Sequence, residues 1–210
     1  MSDFYAVFPF GTPIIQGEIE GDLTELRGYS ERVPGHLQGK HSLSNTDPRF
    51  RVLEKFPKIR DEIEHKFNDI ARGLFNYDYE WFITTSWLTI TSKGDRIHGH
   101  KHYNHPWSGI LYHDEYYPED LPPLIFDNPT YDSKGFQLKA YEPFNPYTAN
   151  FFLHAKPRLL AFWPSDLIHS SFEFPTDFIR RSLPFNLFPR KLYSPSADSS
   201  VDIDWINDRK

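Results

Sequence analysis

The sequence predicts a mainly β fold with α-helical support near its N-terminus, in which many short strands close into a double-sheet jelly-roll barrel. Three observations carry this expectation. Aromatic residues make up 17 % of the chain and 18 prolines punctuate it, a composition that favours short strands bounded by turns. Apolar residues at the spacing of one helix face occur in a single long run, before residue 78. After Tyr79, β-branched and aromatic runs alternate with Pro, Asp, Asn and Gly, and many short strands following one helical segment are the pattern of a jelly roll. With 210 residues the chain is expected to form one domain: strand and helix support over 1–78, a barrel core over 79–190, and a tail over 191–210.

Residues 1–46 are mixed, with a strand expected at Phe4–Phe8 and a Gly-punctuated polar stretch that suggests no role. From Val52, the positions Val52, Phe56, Ile59, Ile63, Phe67, Ile70 and Leu74 recur at steps of three and four, which predicts a helix packing on a sheet, with a kink or restart at Pro57. The stretch EWFITTSWLTITSKG then predicts a strand ended by Gly94. Further strands are expected at Ser108–Tyr112, Leu124–Phe126, Asn150–His154, Arg158–Trp163, His169–Phe174 and Ile179–Phe188. Asp127, in IFDNP, reads as a turn cap. The polar, acidic tail carries Val201, Ile203 and Trp205 as anchors. The loops Tyr116–Pro123 and Tyr131–Pro146, rich in Tyr, Phe and Pro, are candidates for an apolar lid that sets specificity.

Charge and composition exclude several function classes. A net charge of -6 with interspersed signs offers no basic stripe, so no stable nucleic-acid binding is expected. The absence of cysteine removes disulfides, thiolate nucleophiles and Cys-type zinc sites, leaving only N and O ligands for a metal. No basic-then-apolar leader and no span of ~18 apolar residues is seen, so a cytoplasmic protein without a membrane segment is expected.

Five of the ten histidines, His98, His100, His102, His105 and His113, fall between Gly94 and Glu115. In a strand, residues two apart share a face, so His98, His100 and His102 would line one side, and two imidazoles at that spacing can grip one ion. His105, next to Pro106, reads as a loop residue. A competing register is His113-Asp114-Glu115, which spells His-x-Glu. A lone His169 follows 67 positions after His102, ahead of a strand bearing Arg180 and Ser182 two apart. The apolar neighbours Phe178, Ile179, Leu183 and Phe185 imply a mostly buried strand, where an arginine needs an anionic partner, and Arg181 would point the opposite way.

This order of motifs resembles the iron(II)/2-oxoglutarate-dependent oxygenases, whose site holds iron through two His and one carboxylate on one face. It is closest to a branch frequent in marine phages and bacteria. The matching residues are Trp87; His100, His102 and Asn104; Ser108-Gly109-Ile110-Leu111-Tyr112; Trp163-Pro164 with His169; and Arg180-x-Ser182-x-x-Phe185-Asn186, covering roughly residues 80–190. The resemblance implies a double-stranded β-helix core and Fe(II) held by His100, His102 and His169. It also implies 2-oxoglutarate as cosubstrate, gripped through two parallel hydrogen bonds by Arg180 with help from Ser182, and Asn104 and Tyr112 as further candidates for the cosubstrate pocket. His102 is a departure, since most relatives carry Asp or Glu there and a neutral imidazole leaves the metal's charge less compensated. His98 is a candidate third same-face ligand or a hydrogen-bond partner of one. The expected activity is a dioxygenase, a hydroxylase acting on a small-molecule or peptide substrate. The rivals are a cupin-like three-His metalloenzyme that does not use 2-oxoglutarate, which Arg180 with Ser182 discriminates because such an enzyme needs no buried anion clamp there, and a non-catalytic jelly-roll binding module, which should bind metal without consuming oxygen.

Overall fold

The computed structural model describes residues 5–7, 11–33, 43–44, 51–129, 149–192 and 201–202. Its first strands, β1 (Tyr5–Val7) and β2 (Ile14–Glu18), are followed by helix α1 (Thr24–Arg32) and the two-residue β3 (Leu43–Ser44). A single 3-10 turn (Val52–Lys55) precedes helix α2 (Pro57–Phe75). Pro57 therefore restarts the predicted helix: it sits in the first turn, where a missing N–H costs nothing. The chain leaves α2 through Asn76 in the left-handed conformation, φ 54°. Helix α1 and β2 lay in the stretch that gave no sequence signal.

The remaining strands are β4 (Trp81–Ser86), β5 (Leu88–Thr91), β6 (Trp107–Tyr112), β7 (Leu124–Asp127), β8 (Asn150–Leu153), β9 (Leu159–Pro164), β10 (His169–Ser171), β11 (Arg180–Pro189), β12 (Lys191–Leu192) and β13 (Val201–Asp202). The larger sheet runs β1-β2-β9-β6-β11-β5-β3, with β4 also paired to β11, and the smaller runs β10-β7-β8. The antiparallel pairs β6·β9, β6·β11 and β7·β8 build the facing sheets of a jelly roll, as expected. The predicted strand over residues 80–94 is divided at Trp87. There β11 passes from β5 to β4, and Pro184, which has no N–H to give a ladder, accepts the Trp87 N–H through its carbonyl at 3.1 Å.

Period-two alternation sorts the large sheet into two faces. Leu111, Leu160, Phe162, Leu183 and Phe185 pack with Ile59, Ile63, Phe67 and Ile70 of α2, so α2 covers the outer face as its apolar stripe predicts. Ile110, Tyr112, Ala161 and Trp163 point inward and meet Leu124, Phe126, Phe151 and Leu153 of the small sheet. Gly109 is required where β6 crosses under Phe185: a Cβ there would run into the Phe185 ring and lie 2.8 Å from the Ala161 carbonyl oxygen. Asp127 ends β7 and accepts a hydrogen bond from Asn150 Nδ2 across the pair at 2.9 Å. Val201 pairs with Leu192, while Ile203, Trp205 and the Tyr131–Pro146 loop lie outside the described residues. Among the described residues, no helix is long and apolar enough to cross a membrane.

Candidate active site

The segment carrying the histidine run is an extended edge of the small sheet rather than a regular strand. His100 and His169 exchange backbone hydrogen bonds at 3.1 and 2.9 Å, Ser171 N–H donates to the Ile97 carbonyl at 2.9 Å, and His102 N–H donates to the Ser165 carbonyl at 2.8 Å. This zipper sets the late histidine beside the early pair. One ring nitrogen each from His100, His102 and His169 lies within 4.8 Å of the others, and the ring centroids stand 4.4 to 5.5 Å apart.

Each ring has its Nδ1–H engaged, which leaves Nε2 as the free donor atom on all three. His100 Nδ1 donates to the His98 carbonyl at 2.9 Å, His169 Nδ1 to the Leu167 carbonyl at 3.0 Å, and His102 Nδ1 to Asn186 Oδ1 at 2.6 Å. Such partners fix tautomer and orientation at metal sites. Asn186 is itself held: its Nδ2 donates to Thr85 Oγ1 at 2.8 Å, and Ser108 Oγ donates to its Oδ1 at 2.8 Å. Ser165 Oγ lies 2.7 Å from Ser108 Oγ and completes the chain. Burial pushes the His169 imidazole down to about 3, with nearby His100 adding to the effect, and burial also lowers His102. The two rings are thereby kept neutral, the form in which histidine coordinates. Three converging nitrogens with no carboxylate suit a borderline divalent ion such as iron, nickel or zinc.

Arg180 lies on the same wall. The residue is 2 % exposed, and its guanidinium donates to the Pro122 carbonyl and Thr91 Oγ1 at 3.3 and 3.4 Å and stacks 4.4 Å from the Phe174 ring centroid. Among the described residues no acid pairs with it, and both its Nε and the Tyr112 hydroxyl are buried without a hydrogen-bond partner. A buried cation beside an orphaned hydroxyl fits an anion such as the distal carboxylate of 2-oxoglutarate. Burial raises the Tyr112 phenol, with Arg180 opposing it, so the hydroxyl is protonated and able to donate.

A cavity of about 580 Å³ joins the two groups: His100, His102, Asn104, Tyr112, His169, Arg180 and Ser182 all line it, with Trp87 and Asn186. Every residue that the resemblance assigned to the metal or the cosubstrate thus lines one space. Ser182 is buried, and Arg181 sits opposite Ile90 while Arg180 sits opposite Thr91, so the two arginines diverge as alternation requires. His98 lines the cavity but offers the cluster only its carbonyl. The His113 register is not part of the site: His113 is fully buried against Ser30 Oγ at 3.0 Å, burial pushes it down to about 4, and Glu115 forms an ion pair with Arg27 at 3.0 Å. Asn186 and Ser108 stood inside the recognised motifs without an assigned task. Their signal was parity, since Asn186 shares the face of Arg180 and Ser182.

Residues 85–186 match the family model described as "Putative 2OG-Fe(II) oxygenase". Among solved structures, HygX from Streptomyces hygroscopicus with iron bound is 14 % identical, with a TM-score of 0.54 over 94 % of each chain; HygX is also known with nickel, 2-oxoglutarate and hygromycin B bound. The carbocyclase SnoK from nogalamycin biosynthesis is 10 % identical, TM-score 0.57, covering 94 % of this chain and 85 % of its own. A Pseudomonas putida prolyl-4-hydroxylase is 14 % identical, TM-score 0.52, covering 89 % and 90 %. At these identities the likeness establishes the fold, a jelly-roll core. No curated protein matches the sequence.

Proposed function

We propose that this chain, whose residues 85–186 match the model of a 2OG-Fe(II) oxygenase family whose members bind Fe(II) and 2-oxoglutarate, hydroxylates a small-molecule or peptide substrate while 2-oxoglutarate is oxidatively decarboxylated. The observation that carries this reading is the pairing of two features in one cavity: three converging imidazole nitrogens and a buried arginine without an acid partner among the described residues.

In this reading Nε2 of His100, His102 and His169 would hold the iron. When bound, the iron supplies activation of dioxygen coupled to decarboxylation of the cosubstrate. The chain's own tasks are positional. Asn186 and the His98 and Leu167 carbonyls keep three Nδ1 protons in place, so that no ring presents the wrong nitrogen. Arg180, with Tyr112 and Ser182, would fix the far carboxylate of 2-oxoglutarate and so orient its reactive end toward the histidines. Ile110, Leu124 and Trp163 line the inner cavity wall and keep water from the cosubstrate. His100 is exposed and marks the mouth through which substrate would enter, with Asn104 beside it.

Three neutral ligands without a carboxylate also suit a cupin-like metalloenzyme that does not use 2-oxoglutarate. Anaerobic titration of the protein with Fe(II) and then 2-oxoglutarate separates the two. The weak visible charge-transfer band of a chelated 2-oxoglutarate is expected, and Fe(II) binding without any 2-oxoglutarate response would favour the cupin-like enzyme. Hydroxylation is tested by mass spectrometry of candidate substrates incubated with the complete system, where a gain of one oxygen atom is expected.

A further inference from the structure

Resting on the oxygenase reading of this cavity, the structure assigns Arg96 as the residue that recognises the substrate, and we infer that the substrate carries an acidic group, a carboxylate or a phosphate. The chain as a whole has 29 acidic residues and a net charge of -6, yet the described residues lining the cavity include two arginines and five histidines and no carboxylate. The local charge is therefore the inverse of the global one.

His102 deepens the inversion, because it is a neutral ligand where a carboxylate would have removed one positive charge. The two charges of a divalent metal and the two of 2-oxoglutarate cancel, which leaves the Arg180 and Arg96 guanidiniums uncompensated. Arg180 is committed to the cosubstrate end. Arg96 is exposed, lines the cavity, and among the described residues has no hydrogen bond or ion pair. The carboxylate of neighbouring Asp95 is engaged away from it, its Oδ2 accepting from Ser92 N–H and Ser92 Oγ at 2.8 and 2.9 Å, and Asp95 is not among the residues lining the cavity.

The position of Arg96 is fixed by its neighbours. Phe174 N–H donates to the Asp95 carbonyl at 2.8 Å, and the Ile97 carbonyl accepts from Ser171 N–H at 2.9 Å. Four residues, spanning up to roughly 13 Å at full extension, separate its backbone from that of His100, and both side chains line the one cavity. An uncompensated positive field at a cavity mouth draws anions and repels cations, and the guanidinium fork matches a carboxylate or phosphate with two parallel hydrogen bonds. A neutral substrate would leave both features unused.

The test uses the full chain loaded with Ni(II) and 2-oxoglutarate, titrated calorimetrically with inorganic phosphate, N-acetylglycine and N-acetylglycinamide. The first titrations, of metal and 2-oxoglutarate, report on the oxygenase reading separately; its failure would show there. With both bound, one or both anions should bind and the amide should not. R96Q should weaken the recognised anion about tenfold or more, the factor a charge-assisted hydrogen bond carries, with R96K between and metal and 2-oxoglutarate affinities unchanged. The anion that responds to position 96 identifies the acidic group as phosphate or carboxylate. Binding of the amide equal to that of the acid, no anion binding, or anion binding indifferent to R96Q, as expected for an anion held by the metal alone, would overturn the assignment.

Discussion

Replacing Arg180 by Met should make the empty protein more stable and remove its response to 2-oxoglutarate. Arg180 is 2 % exposed, its two hydrogen bonds are long, at 3.3 and 3.4 Å, its Nε has no partner, and no described acid balances it. A charge withdrawn from water on those terms is destabilising, and exchanging a buried ionic group for an apolar one of similar length is neutral or stabilising by about 1–4 kcal/mol. Met is of similar length and can lay its thioether against the Phe174 ring where the guanidinium now stacks, so no large cavity opens. Two charge-assisted hydrogen bonds to the distal carboxylate would be lost at the same time, and at about 1.5–3 kcal/mol for such a bond the affinity for 2-oxoglutarate should fall at least ~10-fold. Urea unfolding of wild type and Arg180→Met, each alone and with Ni(II) and saturating 2-oxoglutarate, reads both effects in one experiment, because a ligand of the folded state adds stability in proportion to its occupancy. Loss of stability in the empty variant, or an undiminished gain with 2-oxoglutarate, would refute the reasoning that this cation is held in reserve for an anion.

Arg181→Ala, on the opposite strand face, should leave 2-oxoglutarate affinity within about twofold of wild type by the same calorimetric titration. Asn186→Leu removes the acceptor that orients His102, and should lower Ni(II) affinity about 10–100-fold while His100 and His169 still bind. Gly109→Ala forces a methyl against the Phe185 ring and the Ala161 carbonyl and should cost about 1–3 kcal/mol in denaturant unfolding. Acid should destabilise the metal-free protein. His113 and His169, ordinarily near 6.5, are pushed down to about 4 and about 3. The unfolded chain therefore takes up protons first, and the stability present above pH 6.5 is lost as pH falls toward those values. Asp114, pushed up from 3.8 to about 6 by burial, acts in the opposite sense over part of that window. Two histidines outweigh one carboxyl, so the urea midpoint should drop between pH 7 and pH 4.5, values spanning roughly the linkage window. A midpoint that rises would contradict the burial of these rings.

Local geometry made much of this site legible in the sequence. The period of two fixed that Arg180 and Ser182 share a face and that Arg181 faces away, and the three-and-four spacing of Ile59, Ile63, Phe67 and Ile70 fixed which side of α2 is buried. Both are properties of a residue and its neighbours along the chain, independent of what lies opposite. Helix α1 and strand β2 were silent for the converse reason: β2 exists because Ile15 to Glu18 pair with Leu159 to Phe162, a partner 144 or so positions away that no local pattern encodes. Only the closed barrel decided between the competing histidines. His113 and His102 carry the same ring, but β6 turns His113 into the packing around Ser30, while the His100–His169 backbone bridge draws His102 into the cavity beside Asn186. Coordination requires three nitrogens within a few ångströms of one another, and bringing residues 100 and 169 that close is the work of sheet pairing, which the sequence specifies only through the whole fold.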